Sequence, residues 1–280
     1  MNEEETRKAI MPPLGIVEPH APLLRVPSDE QLLYKIMSAE NLLRSIASSY
    51  IHFNRVDSYT DFAGADPHDG KQLPRDEEAN ARAKFERAPD YSAANYYDQS
   101  RARTYACCFS TENSDFIWKN YANNSDKGKI CVVLAFGSLR ATLNQTLAPG
   151  NAGLEYNGMR CHQIFSINYG MVEYVDRATH QANAPHLPNP IVYTYLKDKR
   201  KFADEKELRI SLSTFGTGQF ALKDGRMMQF PPSLHLAFDY RAAMADSTIQ
   251  EILYGPNSDA DFLKAEFHKL GISTKEGHPT

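Results

Sequence analysis

One tryptophan and four cysteines stand among 280 residues. Cys107, Cys108, Cys131 and Cys161 form no Cys-x-x-Cys pair and no regular framework. Three of them lie in apolar, strand-like stretches, which points to reduced, buried thiols. No apolar run approaches the ~20 residues needed to span a bilayer, so no membrane partner is expected. The acidic start, Met1-Asn2-Glu3-Glu4-Glu5, is followed by no apolar segment of the secretory kind, and a cytoplasmic protein is expected. Excess charge is missing too: a formal net charge of −4 exerts no global pull towards nucleic acid or anionic lipid. There is no Gly-x-x-x-x-Gly-Lys-Ser/Thr loop, no Gly-x-Gly-x-x-Gly after a strand, no His-Glu-x-x-His and no Gly-x-Ser-x-Gly. P-loop, Rossmann, zincin and α/β-hydrolase readings are disfavoured accordingly.

What is present is an ordinary globular composition, 42% hydrophobic and 24% charged, long enough to bury a sizeable core. Residues 1–30, rich in proline and charge, read as an arm laid over the body or partly disordered. Residues 31–275 read as a single α+β domain, a central mixed or antiparallel sheet flanked by helices. Strands are expected at 32–36, 50–53, 105–110, 130–136, 163–175, 207–212, 234–238 and 249–254. Helices are expected after Ser38, over 77–87, 115–122 and 139–147, from Pro190 to Phe202, and at the end, stopping at Gly271. The stretch 54–75 reads as a long loop, a binding element or a disordered insertion.

The densest chemistry is Asp204-Glu205-Lys206-Glu207-Leu208-Arg209-Ile210-Ser211-Leu212. Alternation puts Leu208, Ile210 and Leu212 on one strand face and Glu205, Glu207, Arg209 and Ser211 on the other. A solvent-facing strand shows the same pattern, so a functional reading needs other polar groups to converge on that face. Arg209 either binds a phosphate or pairs with Glu205 to hold the sheet. Asp66-Pro67-His68-Asp69 offers oxygen and nitrogen to a metal or simply makes a turn. Cys161-His162 is a poor arrangement for a nucleophile and its base. Lys197, Lys199, Arg200 and Lys201 would end a helix favourably for its dipole or bind phosphate. Trp118 and Tyr121, three apart, can share a helix face as core anchors or as a wall for a planar ring.

Five blocks in order, Leu33-Tyr34-Lys35, Ile51-His52-Phe53, Cys108-Phe109-Ser110 with Ile117-Trp118 and Tyr121-Ala122, Glu205-Lys206-Glu207-Leu208-Arg209, and Ile249 to Gly255, resemble the bacterial family catalogued as domain of unknown function 2971. Where that family has Asn-Asp-Pro-Phe, this chain has Tyr59-Thr60-Asp61-Phe62. The layout also resembles, more loosely, the ADP-ribosyltransferase superfamily. That resemblance implies an NAD-dependent transferase acting in phage defence or as a toxin, with a protein or nucleic-acid target. Under it, Lys35 would hold an NAD phosphate or ribose, and Ser110 would position the nicotinamide ribose. Tyr34, Trp118 or Tyr121 would stack on nicotinamide, and Glu207, with Glu205 second, would stabilise the oxocarbenium-like transition state. Lys35 stands where those enzymes carry Arg or His. Two rival readings are a non-catalytic sensor of a nucleotide-type small molecule or a protein, and a metal-dependent nuclease using Glu205, Glu207 and Asp61.

Overall fold

The computed structural model describes residues 16–61, 65–147, 154–156, 159–161, 164–182, 190–214, 219–221 and 226–272. The chain runs β1 (Ile16–Val17), β2 (Leu32–Ser38), α1 (Ala39–Ala47), β3 (Tyr50–Arg55), α2 (Pro74–Arg82), β4 (Lys84–Phe85), β5 (Ala88–Ser92), α3 (Ala93–Arg101) and β6 (Thr104–Ser110). It continues through α4 (Asp115–Asn120), β7 (Lys129–Ala135), α5 (Phe136–Thr146), β8 (Leu154–Tyr156), β9 (Met159–Cys161), β10 (Ile164–Met171), β11 (Glu173–Val175), β12 (Leu196–Asp198) and α6 (Lys199–Phe202). The last elements are β13 (Glu207–Thr214), β14 (Gln219–Ala221), β15 (Met227–Gln229), β16 (Ser233–Ala237), α7 (Tyr240–Ala245), β17 (Ile249–Tyr254) and α8 (Ala260–Lys269).

Among the described residues, eleven strands make one mostly antiparallel sheet, in the order β1-β10-β13-β6-β3-β16-β8-β9, with β2, β7 and β17 branching from β6. This is the expected α+β architecture of a central sheet flanked by helices. The branch has a simple cause. Along one edge, β6 pairs with β3 at Tyr105 and Ala106 and with β2 at Ser110 alone. Between them Cys107-Cys108-Phe109 lacks a neighbouring strand on that edge, so the sheet splits there.

The sheet has two unlike faces. On one, alternate residues such as Leu33, Val132, Phe109, Leu208, Ile210, Tyr169 and Phe53 join Leu42 of α1, Leu139 of α5 and Phe267 of α8 in the main core. Ser38 caps α1 by accepting the Asn41 N–H, and Gly271 takes a positive φ just past α8. The opposite face is polar and is covered by residues 56–61, 65–101, 173–182 and 190–205, which carry a smaller core of Leu73, Ala93, Tyr97, Val175, Tyr193 and Leu196. Gly170 leaves room there: a Cβ on it would stand 2.8 Å from the Tyr195 ring.

Several boundaries differ from the sequence-based expectations. The expected 77–87 helix starts at Pro74, at the first helical position, and ends at Arg82. The 163–175 strand is two strands broken at Val172. The Pro190–Phe202 helix is replaced by a 3-10 helix over Pro190–Tyr195, then β12 and the single turn α6. Ile191, Tyr193, Thr194 and Tyr195 are buried, and their branched and aromatic side chains favour the layer beneath over a helix. Within the 54–75 stretch, Asn54 and Arg55 end β3, Val56–Asp61 form a 3-10 helix, and Asp66, Asp69, Gln72 and Leu73 are buried. Part of the arm, β1, adds a parallel edge to β10. Among the described residues no helix is long and apolar enough to cross a membrane.

Candidate functional site

The polar face of β13 is the centre of the site. Register places Glu207 opposite Ser110 of β6, and Ser110 opposite Tyr34 of β2, so these three side chains form a row across three strands. Two residues along, Arg209 lies opposite Cys108. Glu205 is not on the strand: it ends a 3-10 helix, and Lys206 in the left-handed region turns the chain into β13.

Arg209 is completely buried. Its guanidinium grips Asp69 through Nη1 at 2.5 Å and Nη2 at 2.9 Å, donates Nε to Glu207 Oε1 at 2.8 Å, and gives Nη1 to the Thr194 carbonyl at 2.6 Å. Lys197 Nζ bridges the two glutamates, 2.7 Å from Glu205 Oε2 and 2.7 Å from Glu207 Oε2. The Tyr121 hydroxyl donates to Glu205 Oε1. The result is a chain of alternating charge, Asp69–Arg209–Glu207–Lys197–Glu205, that ends at the surface on Tyr121, 38% exposed.

Burial alone would raise the Glu207 carboxyl, but the charges of Arg209 and Lys197 overcome it and hold it well below the usual carboxylate range. Glu205 goes the other way: burial and the Glu207 charge outweigh Lys197 and push it up. Cys108 is pushed up to about 12 by burial and the Glu207 charge, so its thiol stays protonated.

The structure therefore gathers Tyr34, Ser110, Glu207, Glu205, Arg209 and Tyr121 on one side of the sheet. Ser110 Oγ is occupied locally, donating to the Glu112 carbonyl at 2.9 Å. Lys35 projects on the opposite face, beside Val132 in register. Its ammonium takes the Cys108 carbonyl at 2.7 Å, at the unpaired edge where the sheet splits, and lies 5.3 Å from the Phe109 ring centroid. Trp118 and Tyr121 do not share a helix face, because Tyr121 is already the extended C-cap of α4. Trp118 Nε1 donates to Asn113 Oδ1 at 2.7 Å, and its ring fills the space above Gly255. Asp61's side chain, Phe62, Cys161's side chain and His162 lie outside the described residues.

Sequence reasoning missed two partners of this network. Asp69 stood in a segment read as a turn or metal loop, and Lys197 was placed at a helix end, whereas it belongs to β12. Asp69 is 140 residues from Arg209, and Lys197, only eight from Glu205, sits in a segment whose basic run reads as a helix end. Among the described residues no three metal-capable side chains cluster. A separate cleft of about 760 Å³ lies near Asp69, with Lys71, Arg101 and Arg177 in its walls.

No family model, curated protein or solved structure matches the chain.

Proposed function

We propose that the protein binds a nucleotide-type small molecule, with NAD the first candidate, and does so without glycosyl transfer at Glu207. One observation carries this reading: both Glu207 oxygens are taken by cations, in a side chain 4% exposed. A carboxylate that expels nicotinamide must accept from a ribose hydroxyl and face positive charge as it develops. Freeing Glu207 for that task means breaking a buried ion pair, at about 3–5 kcal/mol. Support for a nucleotide ligand comes from the Tyr34–Ser110–Glu207 row, which follows the strand order of the ADP-ribosyltransferase resemblance. A cytoplasmic role in bacterial phage defence or a toxin system rests on family resemblance and is proposed with it.

NAD-dependent ADP-ribosyl transfer is the second reading, favoured by the same row and by the exposed Tyr121 ring beside Glu205. Calorimetry with NAD, run beside a nicotinamide-release assay, separates the two. Saturable binding without release supports the sensor. Release that disappears in Glu207→Gln overturns it in favour of the transferase. The metal-dependent nuclease is weaker on its geometry, because the Lys197 ammonium already stands between the two carboxylates, where a divalent ion would have to sit.

A further inference from the structure

The cleft near Asp69 holds two arginines with unfinished hydrogen bonding. Arg101 Nη2 and Arg177 Nη1 are both shut off from solvent and have no partner. The same two side chains are otherwise firmly docked. Arg101 Nε donates to the Asp69 carbonyl at 2.6 Å, and Arg177 Nη2 donates to the carbonyls of Gln72 at 3.0 Å and Lys71 at 3.3 Å. One short loop thus fixes both guanidinium groups. Gly70, at its centre, adopts φ +68, and a Cβ there would stand 2.6 Å from Val56 and 3.3 Å from Arg101.

A buried donor without an acceptor is costly, about 1–3 kcal/mol and more when charged. Such groups are rare in folded proteins, and each calls for a partner. Both arginines line one cleft, and two such donors on guanidinium groups call for an anion with several acceptor oxygens. Arginine's planar fork matches phosphate better than it matches a single carboxylate oxygen. Lys71 lines the same cleft and adds positive charge. Five carboxylates line it as well: Asp57 is engaged by Arg55 at 2.5 Å and Asp176 by Arg200 at 3.0 Å, and Glu77, Asp98 and Asp198 are the others. Asp98 and Asp198, also in the walls, offer acceptors to hydroxyl or amino groups carried by the same ligand. A volume of about 760 Å³ falls in the range of small-molecule sites.

We propose that this cleft is a binding site for a phosphorylated small molecule, its diphosphate held between Arg101 and Arg177 with Lys71 beside it. The diphosphate site stands on these residues alone; its assignment to a nucleoside diphosphate rests on the nucleotide reading above.

The test is calorimetry on the full chain with inorganic pyrophosphate, ADP, NAD and adenosine, repeated with Arg177→Gln and Arg101→Gln. Pyrophosphate and ADP are expected to bind and adenosine is not. Arg177→Gln, which keeps one donor for the Gln72 carbonyl, is expected to weaken pyrophosphate at least tenfold with an unchanged far-UV circular dichroism spectrum. Should Arg101→Gln fail to fold, because it also releases Asp69, the Arg177 variant decides. No pyrophosphate binding, or equal binding by wild type and Arg177→Gln, overturns the proposal. If pyrophosphate binding depends on Arg177 while ADP and NAD do not bind, the diphosphate site stands and the nucleotide reading falls. If NAD binds equally to both proteins, the nucleotide reading stands and this cleft is not its site.

Discussion

Replacing Lys197 with methionine keeps an unbranched side chain, one atom shorter, and removes the charge between two buried glutamates. In the native protein each carboxylate has an oxygen 2.7 Å from Nζ, and the lysine side chain is 8% exposed. Without the ammonium, two negative groups face each other at about 5 Å, a repulsion of about 3 kcal/mol at an effective dielectric of about 20. Loss of one member of a buried ion pair costs about 3–5 kcal/mol, a large share of a typical domain's stability of about 5–15 kcal/mol. The loss is limited by protonation of Glu205, whose carboxyl is already raised by burial and by Glu207. A carboxyl raised in the folded state binds more protons there than in the unfolded chain, so the penalty is full at pH 8 and shrinks as pH falls towards 5. Urea unfolding of Lys197→Met, followed by circular dichroism at both pH values, reads this directly. Lys197→Met/Glu205→Gln should recover about 2 kcal/mol of the loss at pH 8. A penalty below about 1 kcal/mol, or one that is the same at pH 5 and pH 8, refutes the ion-pair argument.

Gly255→Ala should destabilise by about 1–3 kcal/mol, because its Cβ would lie 2.7 Å from Trp118 Cζ3. The fluorescence of the only tryptophan should shift with it, and an unchanged spectrum and midpoint would show that the ring yields. His235, stacked on Tyr50 at 3.7 Å and 3.1 Å from His52, is lowered to about 4 by burial and the His52 charge. The unfolded chain therefore takes up a proton first, and stability present above about pH 6.5 is lost as pH falls towards 4, by about 1 kcal/mol after discounting for solvent screening at this half-exposed ring. His235→Phe should flatten that part of the stability curve, and an unaltered slope would assign the effect elsewhere.

Much of the sheet was legible because its strands announce themselves in two ways. Ile130 to Ala135 is continuously apolar and became β7, held between β2 and β17. Glu207 to Leu212 alternates and became β13, with its apolar half in the main core. Ser38 and Gly271 marked helix ends by local hydrogen bonding and by backbone freedom, both properties of a few adjacent residues. The segment after Pro190 misled because proline at a helix start and a basic run at its end outweighed the buried Ile191, Tyr193, Thr194 and Tyr195. For the candidate site, the charged face of β13 could be read, but its depth could not. Whether Glu207 meets solvent or Lys197 depends on which segment lies above the sheet, and nothing local to residues 204–212 encodes that.

The covering layer is tied to the sheet by charge as much as by packing. Asp69 from the 65–73 loop, Lys197 from β12 and Thr194 from the 3-10 helix all converge on Arg209 and Glu207 of β13. Asp69 also holds Arg101 through its backbone carbonyl, which links this anchor to the wall of the cleft. Asp69→Asn preserves the shape and one acceptor oxygen but removes the charge opposite a guanidinium with no access to water, a change worth about 3 kcal/mol or more. The loss should be local, since the main core on the other face has no part in it. Hydrogen exchange should quicken across 65–82 and 190–205 while amides of β7 and β17 keep their protection. Weaker pyrophosphate binding should accompany it, because the loop whose Asp69 carbonyl holds Arg101 loosens. Uniform loss of protection over both layers would mean that the two faces unfold as one unit and that the charge chain does not define a separate layer.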